Sequence, residues 1–474
     1  MRVHLLRTTS RRFSRVRNVT AGQTGRLHHT KSELFDELVS RELVDQITRP
    51  DALRQHLRTP QTIYGGIDPT SNALHVGHLI PMMVLLHFHL RGHHVIPLIG
   101  GATARIGDPS GRLSERPLLS TASVNDNAST LMSAVTKFFK GSLTYAATRL
   151  KCLDVKADVP KILDNFQWYK NMNLLDFLRV AGYHSRVNTM LSRESVRARL
   201  DSKEGISFTE FAYQLLQAYD FQELHRSLGC TIQVGGSDQW GNILAGVDLI
   251  NRITDSDQGL QARDKVYGIT TPLLTNSSGL KFSKSTGTAV WLDRSLSSHQ
   301  DFYQFFVRCP DEQVEQWLKM FTLLELEQIA ELMERHKVTP HLRVAQKVLA
   351  EETTEMVHGP SAVRHAQTAA KVLFDSDYSS INVSDLLSAL ESDPKLVYVD
   401  KGEMFSVPLI KMGVSTAFLG SVSAAKNLVK SNGLKLNNTV VKDPFYVLKP
   451  ADLLGERVAI IKAGPHRHLV LALV

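Results

Sequence analysis

The sequence predicts an α/β protein whose first large domain is a parallel sheet with helices on both faces. Two stretches, which begin at Gln61 and Cys230, each run from a short apolar strand through a glycine loop into an apolar helix. A third stretch, from His93, is an apolar run that breaks into a glycine-rich loop. Repeated strand–loop–helix units favour a parallel sheet. Because such sheets bind ligands at the carboxyl ends of their strands, we expect these loops to share one site.

Two further domains are predicted after the sheet. Helical patterns rich in Leu, Glu, Gln and Lys begin near residue 298, and short mixed segments follow from about residue 401. A chain of 474 residues is long enough for several hydrophobic cores. The predicted divisions are a leader at 1–31, an α/β domain at 32–297, an α-helical domain at 298–400 and a small α+β module at 401–474.

The net positive charge is concentrated at the N-terminus. The formal net charge is +8, but residues 1–31 hold eight basic and no acidic side chains, and the rest of the chain holds 47 of each. Overall charge is therefore no argument for an RNA partner. An Arg-rich, Ser/Thr-containing segment without acids is typical of an import sequence for the mitochondrial matrix, and a disordered basic tail is the alternative.

The cysteines and the apolar stretches argue against a disulfide-rich protein, a cysteine zinc site and a membrane protein. Cys152, Cys230 and Cys309 are far apart, which supports neither a disulfide framework nor a cysteine zinc site. The longest apolar stretch near the first motif spans about twelve residues and contains two histidines, so it is too short and too polar for a bilayer. We expect no membrane segment.

The segment HVGH places His75 and His78 three residues apart where a strand and glycine turn lead into a helix. Two histidines at this spacing could share a metal, but a zinc site needs further ligands and no metal-spaced cluster lies nearby in the sequence. Phosphate fits better, because backbone N–H groups at a helix start attract anions. Gly77 would let a base or ribose approach the backbone, and both histidines would donate to phosphate oxygens.

The segment GLKFSKSTGTAV carries Lys281 and Lys284 in a loop between two apolar segments. Two lysines can hold a triphosphate and neutralise the charge of departing pyrophosphate. A solvated surface loop is the ordinary interpretation of such a segment. Its pairing with HVGH about two hundred residues upstream favours the phosphate interpretation.

HVGH and KFSKS resemble the HIGH and KMSKS signatures of class I aminoacyl-tRNA synthetases. The blocks YGGIDPTSNALHVGH, GGATARIGDPSGRLSER, FTEFAYQLLQAYDF and QVGGSDQWGNI resemble, in order, those of the bacterial-type tyrosyl-tRNA synthetase family, and the leader resembles that of its mitochondrial members. The resemblance implies a Rossmann-like catalytic domain at 32–297, an anticodon-binding helical domain and an RNA-binding module. It also implies L-tyrosine, ATP and tRNA(Tyr) as substrates and a homodimer.

The resemblance also implies a tyrosine pocket. Asp220 would accept the phenolic OH of the substrate, helped by Tyr64. Tyr213 and Gln217 would bind the ammonium group with Asp108. The alternative for this segment is an amphipathic helix with an aromatic core stripe. The residues assigned to the pocket are Tyr64, Thr103, Asp108, Tyr213, Gln217, Asp220 and Gln233.

A second implied group contacts ATP, and its catalytic members are Thr70, the two histidines and the two lysines. Arg112 and Arg116 would help to bind pyrophosphate, although their spacing alone suggests surface arginines. No dedicated metal cage is visible in the sequence, so Mg²⁺ would arrive with ATP and no tightly bound cofactor is expected. The ATP group is Asp68, Thr70, His75, Gly77, His78, Arg112, Arg116, Gly236, Asp238, Gln239, Leu274, Lys281 and Lys284.

Two other functions compete with tyrosine activation. One is a non-catalytic RNA-binding factor of the splicing type on the same scaffold, and the other is the tryptophanyl family. The intact histidines, lysines and acidic residues argue against the first, and the Tyr213, Gln217, Asp220 pattern argues against the second. The C-terminal module departs from the arginine-rich helix that the resemblance implies, since its segment SVSAAKNLVKSNGLKLNN has no arginine and only Lys426, Lys430 and Lys435, which puts the strength of its tRNA contact in doubt.

Overall fold

The computed structural model confirms an α/β fold with additional helical and small-sheet regions. The predicted leader at 1–31 and both lysines of the KFSKS segment lie outside the part of the chain that it describes. The described residues are 33–112, 114–150, 158–258, 265–275, 290–374, 378, 382–391, 395–464 and 467–474.

The first sheet has five parallel strands in the order β3-β2-β1-β4-β5. From β1 the chain adds β2 and β3 on one side, then crosses to add β4 and β5 on the other. The strand order therefore reverses between β1 and β4, where parallel sheets open a crevice for ligands. The strands are β1 (Thr62–Ile67), β2 (His94–Ile99), β3 (Leu163–Asp164), β4 (Cys230–Gly236) and β5 (Tyr267–Thr271).

Helices cover this sheet and connect its strands. A π-helical turn spans Leu178–Gly182 and short 3-10 turns span Val76–His78, Thr103–Arg105 and Ser237–Gln239. The helices are α1 (Glu33–Ser40), α2 (Pro50–His56), α3 (Leu79–Leu90), α4 (Thr121–Arg149), α5 (Phe166–Tyr169), α6 (Leu174–Phe177), α7 (Val187–Leu191), α8 (Glu194–Leu200), α9 (Phe208–Leu228) and α10 (Trp240–Gln258).

A region of helices follows the first sheet, and its first helix begins at His299. Ser298 caps its first helix by accepting a hydrogen bond from the amide of Asp301. Its core is continuous with that of the first sheet, because one cluster of buried residues includes Leu34, Phe302 and Leu349. In the described part of the chain, no helix is long and apolar enough to span a membrane. The helices are α11 (His299–Val307), α12 (Asp311–Phe321), α13 (Leu326–Val338), α14 (Val344–His358), α15 (Pro360–Phe374) and α16 (Val383–Ala389), with a 3-10 turn at Pro340–Leu342.

The C-terminal module contains a second five-stranded sheet, in the order β6-β10-β9-β7-β8. This sheet begins before the predicted boundary at 401, because Leu396 pairs in parallel with Val470 at the far end of the chain. Local sequence pattern cannot reveal so distant a partner. The strands are β6 (Leu396–Val399), β7 (Leu434–Leu436), β8 (Thr439–Val440), β9 (Val458–Ala463) and β10 (Arg467–Leu473), and the helices are α17 (Lys401–Met404), α18 (Leu409–Ser415) and α19 (Val422–Lys430), with a 3-10 turn at Pro450–Asp452.

The side chain of Arg41, the residue directly after α1, connects this helix to the helical region. Its side chain is 3% exposed and its guanidinium donates to the backbone carbonyls of Lys319, Thr322 and Leu324 at 3.2, 3.2 and 2.8 Å. Its Nε also donates to Glu37 at 2.8 Å. One buried cation therefore satisfies a carbonyl in the last turn of α12 and two in the segment between α12 and α13, and burial lowers its pKa to about 10.

We predict that Arg41→Met lowers the free energy of unfolding by about 3 kcal/mol, because it leaves these buried carbonyls without their donor and removes one of the two arginines that pair with Glu37. Arg54→Met is the matched control, since Arg54 pairs with Asp36 at an exposed site and its loss should cost under about 1 kcal/mol. Urea denaturation of the two variants beside the wild type measures both values. Equal midpoints for the two variants would contradict the role of Arg41.

Candidate active site

A cleft of about 580 Å³ lies at the carboxyl ends of β1, β2 and β4. Every predicted site residue in the described part of the chain lines it, so the loops predicted to share one site do so. What each residue binds stays a prediction. The predicted residues that line the cleft are Tyr64, Asp68, Thr70, His75, Gly77, His78, Thr103, Asp108, Arg112, Arg116, Tyr213, Gln217, Asp220, Gln233, Gly236, Asp238, Gln239 and Leu274.

The HVGH segment forms a 3-10 turn that runs directly into α3. His75 caps the turn, and its Nδ1 accepts a hydrogen bond from the amide of Gly77 at 3.1 Å. His78 Nδ1 accepts one from the amide of His75 at 3.0 Å. Since both Nδ1 atoms are acceptors, each neutral ring carries its proton on Nε2. The two imidazoles, with centroids 3.9 Å apart, are thus N–H donors at the positive end of a helix.

Asp220 lies on α9, a helix without glycine whose buried residues include polar and aromatic side chains. Its side chain is 3% exposed and accepts hydrogen bonds from Asn165 Nδ2 and Trp168 Nε1, each at 2.9 Å. Burial raises its pKa to about 7. Tyr64, on β1, is also buried, and its hydroxyl has no hydrogen-bond partner among the described residues. Burial next to Asp220 raises the pKa of this phenol well above its usual range.

Asp68 lies in the loop after β1 and is linked to Asp220 through side chains. The hydroxyls of Tyr213 and Thr103 each donate to it at 2.7 Å, to Oδ2 and Oδ1 respectively. Asn165 Nδ2 donates to Thr103 at 3.0 Å as well as to Asp220. Burial raises the pKa of Asp68 to about 6. One chain of hydrogen bonds therefore joins the two carboxylates.

Asp108 is held from the other side of the cleft. It accepts hydrogen bonds from the amide of Ser110 at 2.9 Å, from Gln239 Nε2 at 2.7 Å and from Asn242 Nδ2 at 3.4 Å. The family resemblance groups Tyr213 with Asp108, whereas in the structure the Tyr213 hydroxyl donates to Asp68. Asp108 is paired instead with Gln239, in the 3-10 turn before α10, and with Asn242, in the first turn of α10.

The loop GGATARIGD needs glycine where it passes the acidic residues. A Cβ on Gly100 would overlap the side chains of Asp68 and Thr103, and one on Gly101 would overlap Asp164. The amide of Gly101 donates to Asp164 at 3.2 Å. Close packing of backbone against carboxylates therefore explains this glycine pair.

Arg112 and Arg116 line the cleft and are not surface arginines remote from it. Arg116 Nε donates to the carbonyl of Asp108 at 3.1 Å. The other predicted cations, Lys281 and Lys284, belong to the segment that the structure does not describe. Among the residues it does describe, no group of three His, Cys, Asp or Glu side chains could hold a metal ion.

The sequence argument missed Asn165 and Trp168, which hold Asp220. Both follow β3, which has only two residues, so no strand-length apolar pattern marks the position. Asn165 Oδ1 also accepts from the amide of Ala102 at 2.7 Å, which fixes the glycine-rich loop. The signal that could have found them is the polar pair that ends the segment KILDN, where a parallel strand should end.

Comparisons with known proteins agree on one family. The family model of class I tRNA synthetases (W and Y) matches residues 56–375. The mitochondrial tyrosine–tRNA ligase of Saccharomyces cerevisiae is 38% identical over 92% of this chain and 88% of its own length. The tyrosine–tRNA ligase of Oceanobacillus iheyensis is 37% identical over 93% of this chain and 98% of its own length.

Solved structures agree with the sequence matches. A C-terminally truncated mitochondrial tyrosyl-tRNA synthetase of Aspergillus nidulans superimposes with a TM-score of 0.65 and 35% identity, and the match covers 72% of this chain and 94% of that one. Both full-length relatives are tyrosine enzymes at well over 30% identity, which separates the chain from the tryptophanyl branch of the same family model. The chain belongs to the tyrosyl-tRNA synthetase family of class I aminoacyl-tRNA synthetases.

Proposed function

We propose that this protein is a tyrosine–tRNA ligase that activates L-tyrosine with ATP and transfers it to the 3′ end of mitochondrial tRNA(Tyr). The observation that carries the proposal is the pair of Asp220 and Tyr64 in one buried pocket. Asp220 has two fixed donors, and the Tyr64 hydroxyl has no partner in the described part of the chain. A substrate phenol placed there would donate to the carboxylate and accept from Tyr64.

This pocket explains selection for tyrosine over phenylalanine. A ligand without the hydroxyl would leave buried polar groups unpaired, which costs free energy. Tyrosyl-tRNA synthetases are themselves the standard example of this kind of discrimination. At the other side of the pocket, Asp68 and Asp108 offer carboxylates to the substrate ammonium, with Gln217 beside them.

Adenylate formation in this cleft needs orientation and charge stabilisation, and it needs no general base. The tyrosine carboxylate attacks the α-phosphorus of ATP, the bond to the bridging oxygen breaks, and pyrophosphate leaves with its electrons. His75 and His78 donate through Nε2 to the phosphates as charge moves, and Arg112 and Arg116 receive pyrophosphate. Lys281 and Lys284 are proposed to act on the same groups. ATP brings Mg²⁺ as part of the substrate complex.

Transfer to tRNA would involve the rest of the chain. We assign anticodon binding to the helical region and a supporting RNA contact to the C-terminal module. Lys426 and Lys430 on α19 and Lys435 on β7 are the cations of the segment 421–438, which contains no arginine. Because phosphate affinity grows with the number of neutralised charges, we expect this module to contribute less than an arginine-rich one would.

A mitochondrial matrix location is the proposed setting. The support is the acid-free basic leader at 1–31 together with the names of the yeast and Aspergillus relatives, which are mitochondrial. A non-catalytic RNA-binding role on this scaffold is the competing function. No observation in the cleft favours it, because the described part of the predicted catalytic set is intact.

Tyrosine-dependent ATP–pyrophosphate exchange tests the proposed function. We expect the wild type to exchange with tyrosine and not with phenylalanine or tryptophan. Asp220→Ala should lower kcat/KM for tyrosine by at least about a hundredfold, because it removes the phenol acceptor and takes away the acceptor of Trp168 Nε1 and of one N–H of Asn165. Circular dichroism of the variant serves as the folding control. No exchange by a folded wild type would refute the enzyme and favour the RNA-binding alternative.

Tyrosine binding should weaken as the pH falls through about 7. Burial keeps the proton on Asp220 up to this pH, and the proposed phenol acceptor is the ionised carboxylate, so the KM for tyrosine should rise below it. The free energy of unfolding changes in the opposite direction. Burial raises the pKa of Asp220 from its usual 3.8 to about 7, so the folded protein loses stability as the pH rises through this range. Exchange kinetics between pH 6 and 8.5 measure the binding effect, and Asp220→Asn should flatten the profile. If the KM of that variant changed with pH as steeply as the KM of the wild type, the titrating group would be a residue other than Asp220.

We further propose a homodimer formed through residues 174–208. This segment, from α6 to the start of α9, exposes more large apolar side chains than monomeric proteins usually do in one place. Phe208 is 79% exposed and Tyr183 72% exposed. The exposed apolar side chains of the segment are Leu174, Leu175, Leu178, Val180, Tyr183, Val187, Leu191, Leu200 and Phe208.

Phe208→Glu should convert the dimer to a monomer in sedimentation velocity, because a charge in an apolar interface is buried without a partner. The matched control is Val338→Glu at the end of α13, where the side chain is 80% exposed outside this segment. We expect the control to stay dimeric. A wild type that sediments as a monomer, or a Phe208→Glu variant that stays dimeric, would exclude this interface.

A further inference from the structure

Trp291 is paired with His75 by the backbone, immediately after the segment that contains the two lysines. Backbone hydrogen bonds of 2.9 and 2.8 Å join residues 74–76 to residues 290–292, and His75 and Trp291 are the antiparallel pair between them. Residues in such a pair exchange no hydrogen bonds with each other, so their Cα atoms lie close together and their side chains lie on the same face. Here that face borders the cleft.

The indole of Trp291 contacts the imidazole of His75 edge-on. Their ring centroids are 6.0 Å apart and their planes form an angle of 70°. The Trp291 amide donates to the Oγ of buried Ser297 at 3.0 Å, which fixes the backbone from which the indole extends. His75 thus touches two rings, those of Trp291 and His78.

The Gly77 amide alone does not fix the His75 ring. The hydrogen bond from this amide holds Nδ1 alone, and tilt of the ring about that contact is limited by the groups packed against it. The indole of Trp291 and the ring of His78 are two of these groups, and the edge-on indole restricts tilt toward its own side, which helps to set the direction of the Nε2–H bond. Direction matters because a donor misplaced by about 1 Å can lose most of its effect on the transition state.

We propose that Trp291 is a positioning residue for adenylate formation, and that it acts by holding the His75 imidazole in its donating orientation. The proposal rests on the proposed function, since it concerns the phosphate contact of His75. This role differs from that of the residues proposed to bind tyrosine. The hydrogen bonds to Asp220 come from Asn165 and Trp168 and involve no atom of Trp291. The role also differs from that of an adenine platform, which would act on ATP binding.

Trp291→Leu and Trp291→Phe test this assignment by exchange kinetics. The leucine variant should lower kcat by about three- to tenfold, the size of effect that one aromatic contact supports, with the KM for tyrosine unchanged. The phenylalanine variant keeps a ring edge and should recover to within about twofold of the wild type. Trp168→Leu is the contrasting variant, since it removes a donor to Asp220 and should mainly raise the KM for tyrosine.

A double-mutant cycle with His75→Asn identifies the residue through which Trp291 acts. In that background the leucine substitution should cost less than about twofold, because the imidazole that it positions is gone. If thermal unfolding shows that the leucine variant does not fold, the cycle is run with Trp291→Phe, whose smaller loss should likewise vanish.

Three results would overturn the assignment while the wild type still exchanges with tyrosine. They are additive losses in the cycle, a rise in the KM for ATP with kcat unchanged, and a leucine variant with wild-type kinetics. A folded wild type without exchange would instead refute the proposed function, and this assignment with it. The two failures are therefore distinguishable in one set of assays.

Discussion

The side-chain amide of Asn165 is the contact on which the arrangement of the cleft depends. Its Nδ2 donates both to Asp220 and to Thr103, and its Oδ1 accepts from the amide of Ala102. One amide thus fixes a carboxylate on α9, a hydroxyl beside Asp68 and the backbone of the glycine-rich loop. Buried polar groups are stable only when their hydrogen-bond partners are in place, so the carboxylate, the hydroxyl and the loop must take up their positions together.

The topology of the sheet explains how such distant residues meet. Tyr213 and the Asp68 carboxylate that it contacts are 145 residues apart in the chain. They meet because the loops after β1 and β2 and the helix before β4 all border the point where strand order reverses. The Rossmann-like fold therefore brings distant residues together, and their side chains provide the groups that contact the ligands. A fold of this kind can hold several carboxylates near one another while their partners differ in each loop.

The sequence predicted the elements that have strong local patterns. The strand before HVGH and the apolar helix after it follow from apolar runs and glycines, and the structure has both. The meeting of the glycine-rich loops was also predictable, because strand ends converge in parallel sheets, whereas the assignment of Tyr213, Asp220 and Arg112 to the site came from the family resemblance. Partners were less predictable: the donors to Asp220 follow a two-residue strand, and β6 belongs to a sheet completed at the end of the chain. Local pattern carries no information on which distant atoms will meet.

The pairing of β6 with β10 has a consequence for the order of folding. β10 lies between β6 and β9 in the second sheet, yet it is the last of these strands in the chain. Until β10 is present, β6 has no neighbour, one edge of β9 is open, and the cluster that packs this sheet against α16 lacks Val470 and Ala472. The first sheet, by contrast, is complete at Thr271. Because a chain is synthesised from its N-terminus, the residues that line the cleft, which end at Trp291, are made before the strand that completes the second sheet.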